Sequence, residues 1–410
     1  MKSNLYKNTM LYSIGNLLTK VINFCMLPLY TFYLTTNEFG RFDLFNSIIL
    51  VAVPIVSFQL SDAVFRHLIE ETELKNKKRV VTTSFSGLTV NVIFFLAVIY
   101  IGLWGYGQQI SKEILLISLF AIAQLYLNYF QYLIRGLRKN AQFAFSGAIN
   151  SIVLAVINIV LLVIFNMGYI GLIISNIIAL MVTILYIILS SKVYEYFDFR
   201  KVDTRLYKEL IKYSIPLIPN LLCWWVINLS DRLLITKYLG LDQNGIYAIA
   251  YRFSTLLYFV TSVFNQAWQE SAILSFNNKE RNSYYTQVFN KYLTFLFTTM
   301  IIVFPMILLA FNYLFSEDYQ KAIPVIPLLL YAVVFSTFSS FYGTGFQSSK
   351  NTMGALLSSV LAAAINFLLN ILLIPKIGLV GSGLSTLISF AVMWIMRIFQ
   401  TKKYFSIKIN

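Results

Sequence analysis

The sequence predicts an all-α integral membrane protein: twelve transmembrane helices in two parallel six-helix lobes around a central cavity. Three observations lead there. Of 410 residues, 58% are apolar and 12% charged, against about 45–50% and about 25% in an average soluble domain. A soluble fold cannot hide that much apolar surface, because burial is capped by the surface-to-volume ratio. The chain also divides into twelve apolar runs of membrane-spanning length, and its two halves resemble each other. Cys25 and Cys223 both fall inside apolar runs, so no disulfide framework or zinc site is readable. The single histidine, His67, excludes histidine-based metal or triad chemistry.

A spanning helix needs about 20 mostly apolar residues. Cutting at charged clusters and Gly, Pro and Asn turns places runs near 9–34, 43–65, 80–105, 113–134, 141–165, 168–190, 212–238, 246–268, 288–312, 322–346, 352–374 and 378–399. The first is longer than the apolar region of a signal peptide, and no small-residue cleavage site follows, so it is expected to stay as a helix. The fifth and sixth share one uncharged stretch, which Asn166-Met167-Gly168 divides with a turn. Pro28, Pro54, Pro216, Pro219 and Pro305 are expected to interrupt helices one, two, seven and nine. Trp104, Trp268 and Trp394 fit interfacial belts.

Charge placement sets the orientation. With a cytoplasmic N-terminus, the inside segments hold twenty-four Lys and Arg, from Lys2 to Lys408, and the outside segments hold five: Arg41, Lys112, Lys237, Lys321 and Lys376. Positive loops stay inside, so both termini are expected in the cytoplasm. The net charge of +15 is then topological signal facing anionic lipid, and nucleic acid is not needed to explain it.

The polar stretch from Ser191 divides the chain into an N-terminal lobe (1–190), an inter-lobe loop (191–211) and a C-terminal lobe (212–410). Tyr12-Ser13-Ile14 matches Tyr213-Ser214-Ile215, and the Gly40 exit matches that at Gly245. Lys139-Asn140 matches Lys350-Asn351, and Gly168-x-x-Gly171 matches Gly378-x-x-Gly381. Six helices per repeat make the repeat parallel, an arrangement that in transporters brackets a substrate path.

Few ionisable residues fall within spans. Lys20 lies in helix one, Asp231 and Arg232 in helix seven, and Arg252 in helix eight. A charge at mid-membrane costs about 2.5–3.5 kcal/mol on insertion scales, so it faces a partner or a wet cavity. Asp231 and Arg252 can pair across a hairpin, and Lys20 and Arg252 can snorkel. Counted this way, three cations outnumber one acid, which favours a water-filled cavity holding an anion. Helices one and seven each combine a proline with a buried cation. No phosphate-binding glycine loop, metal cluster or nucleophile-base pair is present, and no enzymatic activity or cofactor is expected.

Three segments carry a family resemblance. They are Tyr12-Ser13-Ile14-Gly15-Asn16 through Leu27-Pro28-Leu29-Tyr30 to Glu38-Phe39-Gly40; Asp231-Arg232-Leu233-Leu234-Ile235 running into Gly245-Ile246-Tyr247-x-x-Ala250-Tyr251; and Asn366-x-x-x-Asn370 continuing through Pro375-Lys376 to Gly378-x-x-Gly381. On these the chain resembles the Wzx-type polysaccharide flippases of the multidrug/oligosaccharidyl-lipid/polysaccharide exporter superfamily. The resemblance implies transfer of undecaprenyl-diphosphate-linked oligosaccharide units across the bacterial inner membrane by alternating access. It further implies a cationic cavity served here by Lys20, Arg232 and Arg252, with Asp231 as coupling residue or charge partner and H+ or Na+ as coupling ion. A polysaccharide polymerase, a chain-length regulator and membrane lipids are the implied partners. The lipid II flippases have fourteen helices against the twelve read here. Ser382 stands where the family usually has alanine. A cation-coupled drug or metabolite exporter of the same superfamily is the alternative. A membrane glycosyltransferase or polymerase would need catalytic carboxylates and a long outside loop, neither of which is read.

Overall fold

Helices are the only extended regular elements among the residues that the computed structural model describes, which are 19, 21–105, 111–215, 218–349 and 353–408. In chain order they are α1 (Val21–Tyr33), α2 (Thr36–Val56), α3 (Leu60–Glu70), α4 (Leu74–Gly105), α5 (Lys112–Gly136), α6 (Asn140–Asn158) and α7 (Gly168–Ser190). After a polar linker come α8 (Thr204–Ser214), α9 (Ile218–Leu239), α10 (Leu241–Ser275), α11 (Arg281–Leu314), α12 (Ile326–Ser348), α13 (Met353–Ile377) and α14 (Leu379–Thr401). Nine helices among the described residues are long and apolar enough to cross a membrane.

Fourteen helices reduce to twelve segments. Helices α2 and α3 together cover the second apolar run and part at residues 57–59, just after Pro54 in the last turn of α2. There the Gln59 N–H donates back to Pro54 O at 3.0 Å, and Phe58 and Gln59 take positive φ values of 48° and 54°. The short α8 is the other extra helix. It buries Leu206 and Leu210, exposes Arg205, Lys208 and Lys212, and begins at the Asp203 cap, whose carboxylate accepts from the N–H groups of Arg205 and Leu206. Six segments precede α8 and six follow it.

The contacts divide the chain into two units. One takes residues up to Tyr33 together with Phe45–Leu222, the other Leu34–Leu44 with the residues from Cys223 onward. Within the first, α7 packs on α5 and α6, and α3 on α5. Within the second, α14 packs on α12 and α13, and α10 on α12. Each pair in the first unit has its counterpart at the same place in the order of the second. The matched glycines opening α7 and α14 agree in conformation too, Gly168 at φ 57° and Gly378 at φ 64°, where an L side chain is strained.

Some expectations change. Pro305 lies inside α11 and does not break it, and α13 runs on through Pro375. Pro216 lies outside the described residues. Trp268 is no interfacial anchor: it is buried, stacked on Phe341 at 4.1 Å, and donates its indole N–H to Phe341 O. Arg397, counted with the inside tail, is buried in the second unit. It donates to Ser358 Oγ, Ser359 Oγ and Ser339 O, and the absence of a side chain at Gly343 makes room for it.

Candidate functional site

The second unit holds a buried polar cluster built by the start of α2 and by α9, α10, α13 and α14. Helix α9 contributes Ser230, Asp231 and Arg232 in succession, all buried. Adjacent residues on a helix diverge by about 100°, so the acid and the base face different neighbours.

Arg232 turns to the start of α2. Its Nε donates to Asp43 Oδ2 at 2.7 Å, and its guanidinium lies over the Tyr251 ring at 4.6 Å. Asp43 is itself buried. It reaches Arg232 because Leu34–Leu44 belongs to this unit, held there by short-range contacts. Thr36 Oγ1 and Asn37 Nδ2 donate to the Asp242 carboxylate, and Asn244 Nδ2 donates to Gly40 O. Gly40 and Gly245 face each other so closely that a Cβ on Gly40 would stand 1.9 Å from Leu241 O, and one on Gly245 2.0 Å from Thr36 O.

Asp231 turns the other way. Tyr247 OH donates to its Oδ2 at 2.7 Å, Thr386 Oγ1 donates at 3.0 Å, and Asn370 Nδ2 donates to Oδ1. Asn366, one turn before Asn370, accepts from Ser230 Oγ and from Asn370, and donates to Thr386. Asn370 Oδ1 is buried with no hydrogen-bond partner among the described residues. Around Asp231 itself the cluster thus gathers one carboxylate and several neutral oxygens, the donor chemistry that suits a proton or a hard cation.

The expected site residues are only partly brought together. Asp231 and Arg232 share this cluster, but Asp231 does not pair with Arg252. Arg252 lies half-buried on α10, and its guanidinium has no ion pair among the described residues. Lys20 lies outside the described residues. Asp43 is the residue that sequence reasoning left out: with it, Arg232 is neutralised and Asp231 becomes the surplus charge of the trio. Within this cluster two acids, Asp43 and Asp231, meet one cation, Arg232. Asn366 and Asn370 were read only as part of a motif. Their i, i+4 spacing inside an apolar run is the signal that marks them, since buried amides need partners.

A model of the family described as "Polysaccharide biosynthesis protein" matches residues 5–269. The chain belongs to that family. The polysaccharide biosynthesis family match agrees with the resemblance read from the residues. A 231-residue stretch is 27% identical to an uncharacterized membrane protein of Methanocaldococcus jannaschii, covering 52% of this chain and 45% of that relative. Among solved structures, the fold is similar to an inward closed lipid II flippase, MurJ, with a TM-score of 0.71 at 16% identity over 97% of this chain and 88% of that one. It is also similar to an inward-facing multidrug resistance transporter of the MATE family in the MOP superfamily, with a TM-score of 0.67 at 14% identity over 96% and 94%. A MOP superfamily transporter from Pyrococcus furiosus aligns with a TM-score of 0.60 at 14% identity over 96% and 94%. This polysaccharide biosynthesis family member is a multi-pass membrane protein with the twelve-helix transporter fold.

Proposed function

We propose that the protein is a flippase moving undecaprenyl-diphosphate-linked oligosaccharide units from the cytoplasmic to the outer leaflet of the bacterial inner membrane. Transport runs by alternating access and is coupled to H+ or Na+. The family supports the polysaccharide substrate class. The observation that carries the mechanism is Asp231, a buried carboxylate that accepts from Tyr247, Asn370 and Thr386 while the neighbouring arginine is already matched by Asp43. Buried acids in membrane spans mark ion and proton pathways, and taking up a proton or a sodium ion removes the remaining charge of the trio.

In this reading Lys20 and Arg252 meet the diphosphate, Lys20 as a mobile point charge and Arg252 with a planar fork that grips two oxygens. Arg232 joins them only in a state where its bond to Asp43 is broken. A polymerase and a chain-length regulator receive the product, and both termini face the cytoplasm. The alternative, a cation-coupled drug or metabolite exporter, shares the acid cluster and differs in cargo.

The test is reconstitution. Vesicles holding the full chain and a fluorescent undecaprenyl-diphosphate oligosaccharide should translocate the lipid when a proton or sodium gradient is imposed. Asp231→Asn at normal abundance should lose the gradient dependence. Translocation that ignores both gradients sinks the coupling, and export of a drug cation with no lipid movement favours the exporter.

A further inference from the structure

A second charged site lies in the first unit. The start of α4 and the linker into α8 enclose an open cavity of about 680 Å³ lined by Lys75, Asn76, Arg79, Lys201, Asp203 and Arg205, with Val202 and Thr204. Four cations surround one acid. The acid is fully engaged: one Asp203 oxygen caps α8 by accepting from the Arg205 and Leu206 N–H groups, and the other accepts from Arg79. Lys201 is paired with Asp198 at 3.0 Å. Lys75 and Arg205 are exposed and have no ion pair among the described residues. Glu73, the acid nearest Lys75 in sequence, accepts from Asn76.

The platform is fixed. Thr83 Oγ1 accepts from the Asp203 N–H, Thr82 Oγ1 from the Asp198 N–H, and Tyr207 OH donates to Asn91 Oδ1. The Tyr207 ring packs against Gly87, where a Cβ would stand 2.1 Å from it. Lys75 and Arg205 therefore sit on a scaffold held by its own hydrogen bonds.

We propose that this cavity binds the phosphate head group of an anionic membrane lipid. Phosphate oxygens supply the acceptors that Lys75 and Arg205 lack. The location selects a lipid over free phosphate: the apolar part of α4 begins at Val80, directly after the lining residue Arg79, and Leu74 next to Lys75 and the lining Val202 stand 56% and 51% exposed. A head group seated here would tie the linker, and α8 with it, to the membrane surface. Nothing in the proposal depends on the cargo of the transporter.

The experiment is native mass spectrometry of the purified full chain titrated with phosphatidylglycerol and, separately, phosphatidylcholine. The double variant Lys75→Ala/Arg205→Ala should retain phosphatidylglycerol about 30-fold more weakly, as expected for two surface charge contacts, with phosphatidylcholine unchanged. Lys75→Arg should keep wild-type retention and shows that the site tolerates substitution. The control Lys208→Ala/Lys212→Ala, on the exposed side of α8 and outside the cavity, should change retention little. Equal retention by wild type and the cavity variant overturns the proposal, as does an equal loss in the control. Displacement of the lipid by millimolar inorganic phosphate overturns the lipid assignment.

Discussion

Arg232 Nε donates to Asp43 Oδ2 at 2.7 Å, with both side chains at most 7% exposed, so the arginine beside Asp231 is matched by an acid from the start of α2. The two residues are 189 positions apart. Their meeting depends on the Leu34–Leu44 stretch belonging to the second unit, and it leaves Asp231, one residue before Arg232, held by the neutral donors Tyr247, Asn370 and Thr386.

Breaking the pair from one side should cost more than removing both partners. A buried ion left alone destabilises by about 3–5 kcal/mol, whereas an apolar pair of similar volume is often neutral. Asp43→Ala should therefore lower the melting temperature in detergent clearly, and Asp43→Leu/Arg232→Met should recover most of the loss. A double variant less stable than either single one would show that the pair is not the source of the effect.

The approach of Gly40 to Gly245 makes a second prediction. A Cβ at either position meets a backbone carbonyl oxygen at about 2 Å, and backbone cannot swing aside as a flexible side chain can. Gly40→Ala and Gly245→Ala should each fall at or beyond the upper end of the roughly 1–3 kcal/mol that over-packing costs. Gly102, with nothing within 4 Å, supplies the control: Gly102→Ala should be neutral or slightly stabilising in the same melting assay.

Much of this architecture was legible in the sequence, and the exceptions have physical causes. Runs of apolar residues are long-range signals, so the helix segments, the turn at Asn166 to Gly168 and the paired glycines at 168 and 378 are readable. Asp43 was not, because it opens an apolar run two residues after Arg41 and reads as a loop charge. Arg397 reads as tail for the same reason, although three serine groups from α12 and α13 receive it. Asn366 and Asn370 carry no charge, so a search for ionisable residues passes over the amides that complete the Asp231 cluster.

Those amides should matter to transport. Asn370→Ala removes one of the three donors to Asp231, and Thr386→Val removes another. Each variant should fold, because Tyr247 still donates, yet each should slow gradient-driven lipid translocation in vesicles by about tenfold, the effect of losing one hydrogen bond to a charged group. Unchanged rates in both would detach the cluster from transport.

Acid should loosen the start of α8 before it unfolds the helices. The Leu206 N–H, and after it the Arg79 guanidinium, hold the Asp203 carboxyl below its ordinary value. A carboxyl whose folded pKa is depressed contributes stability above its unfolded value, near 3.9. That contribution is lost as pH falls through the lower folded value. Hydrogen-exchange protection of the Arg205 and Leu206 amides should decline through that window. Asp203→Asn should remove most of the pH dependence while the asparagine keeps much of the cap.

Orientation can be tested without any assumption about cargo. Moving Arg397 from the tail to the interior leaves twenty-three Lys and Arg on the inside segments against five on the outside, so the bias survives the correction. Positive residues near span ends resist translocation, and the densest groups are Lys75 to Arg79 and the linker from Lys192 to Lys212. Single cysteines at Lys77 and Lys408 should therefore be silent to a membrane-impermeant reagent added to intact cells, and cysteines at Gln108 and Asp242 should react. The native Cys25 is exposed and should first be replaced by serine, together with Cys223, so that each signal reports one position. Labelling at Lys77 and Lys408 from outside, with Gln108 and Asp242 protected, would invert the topology and would place the basic cavity between α4 and α8 on the outer face.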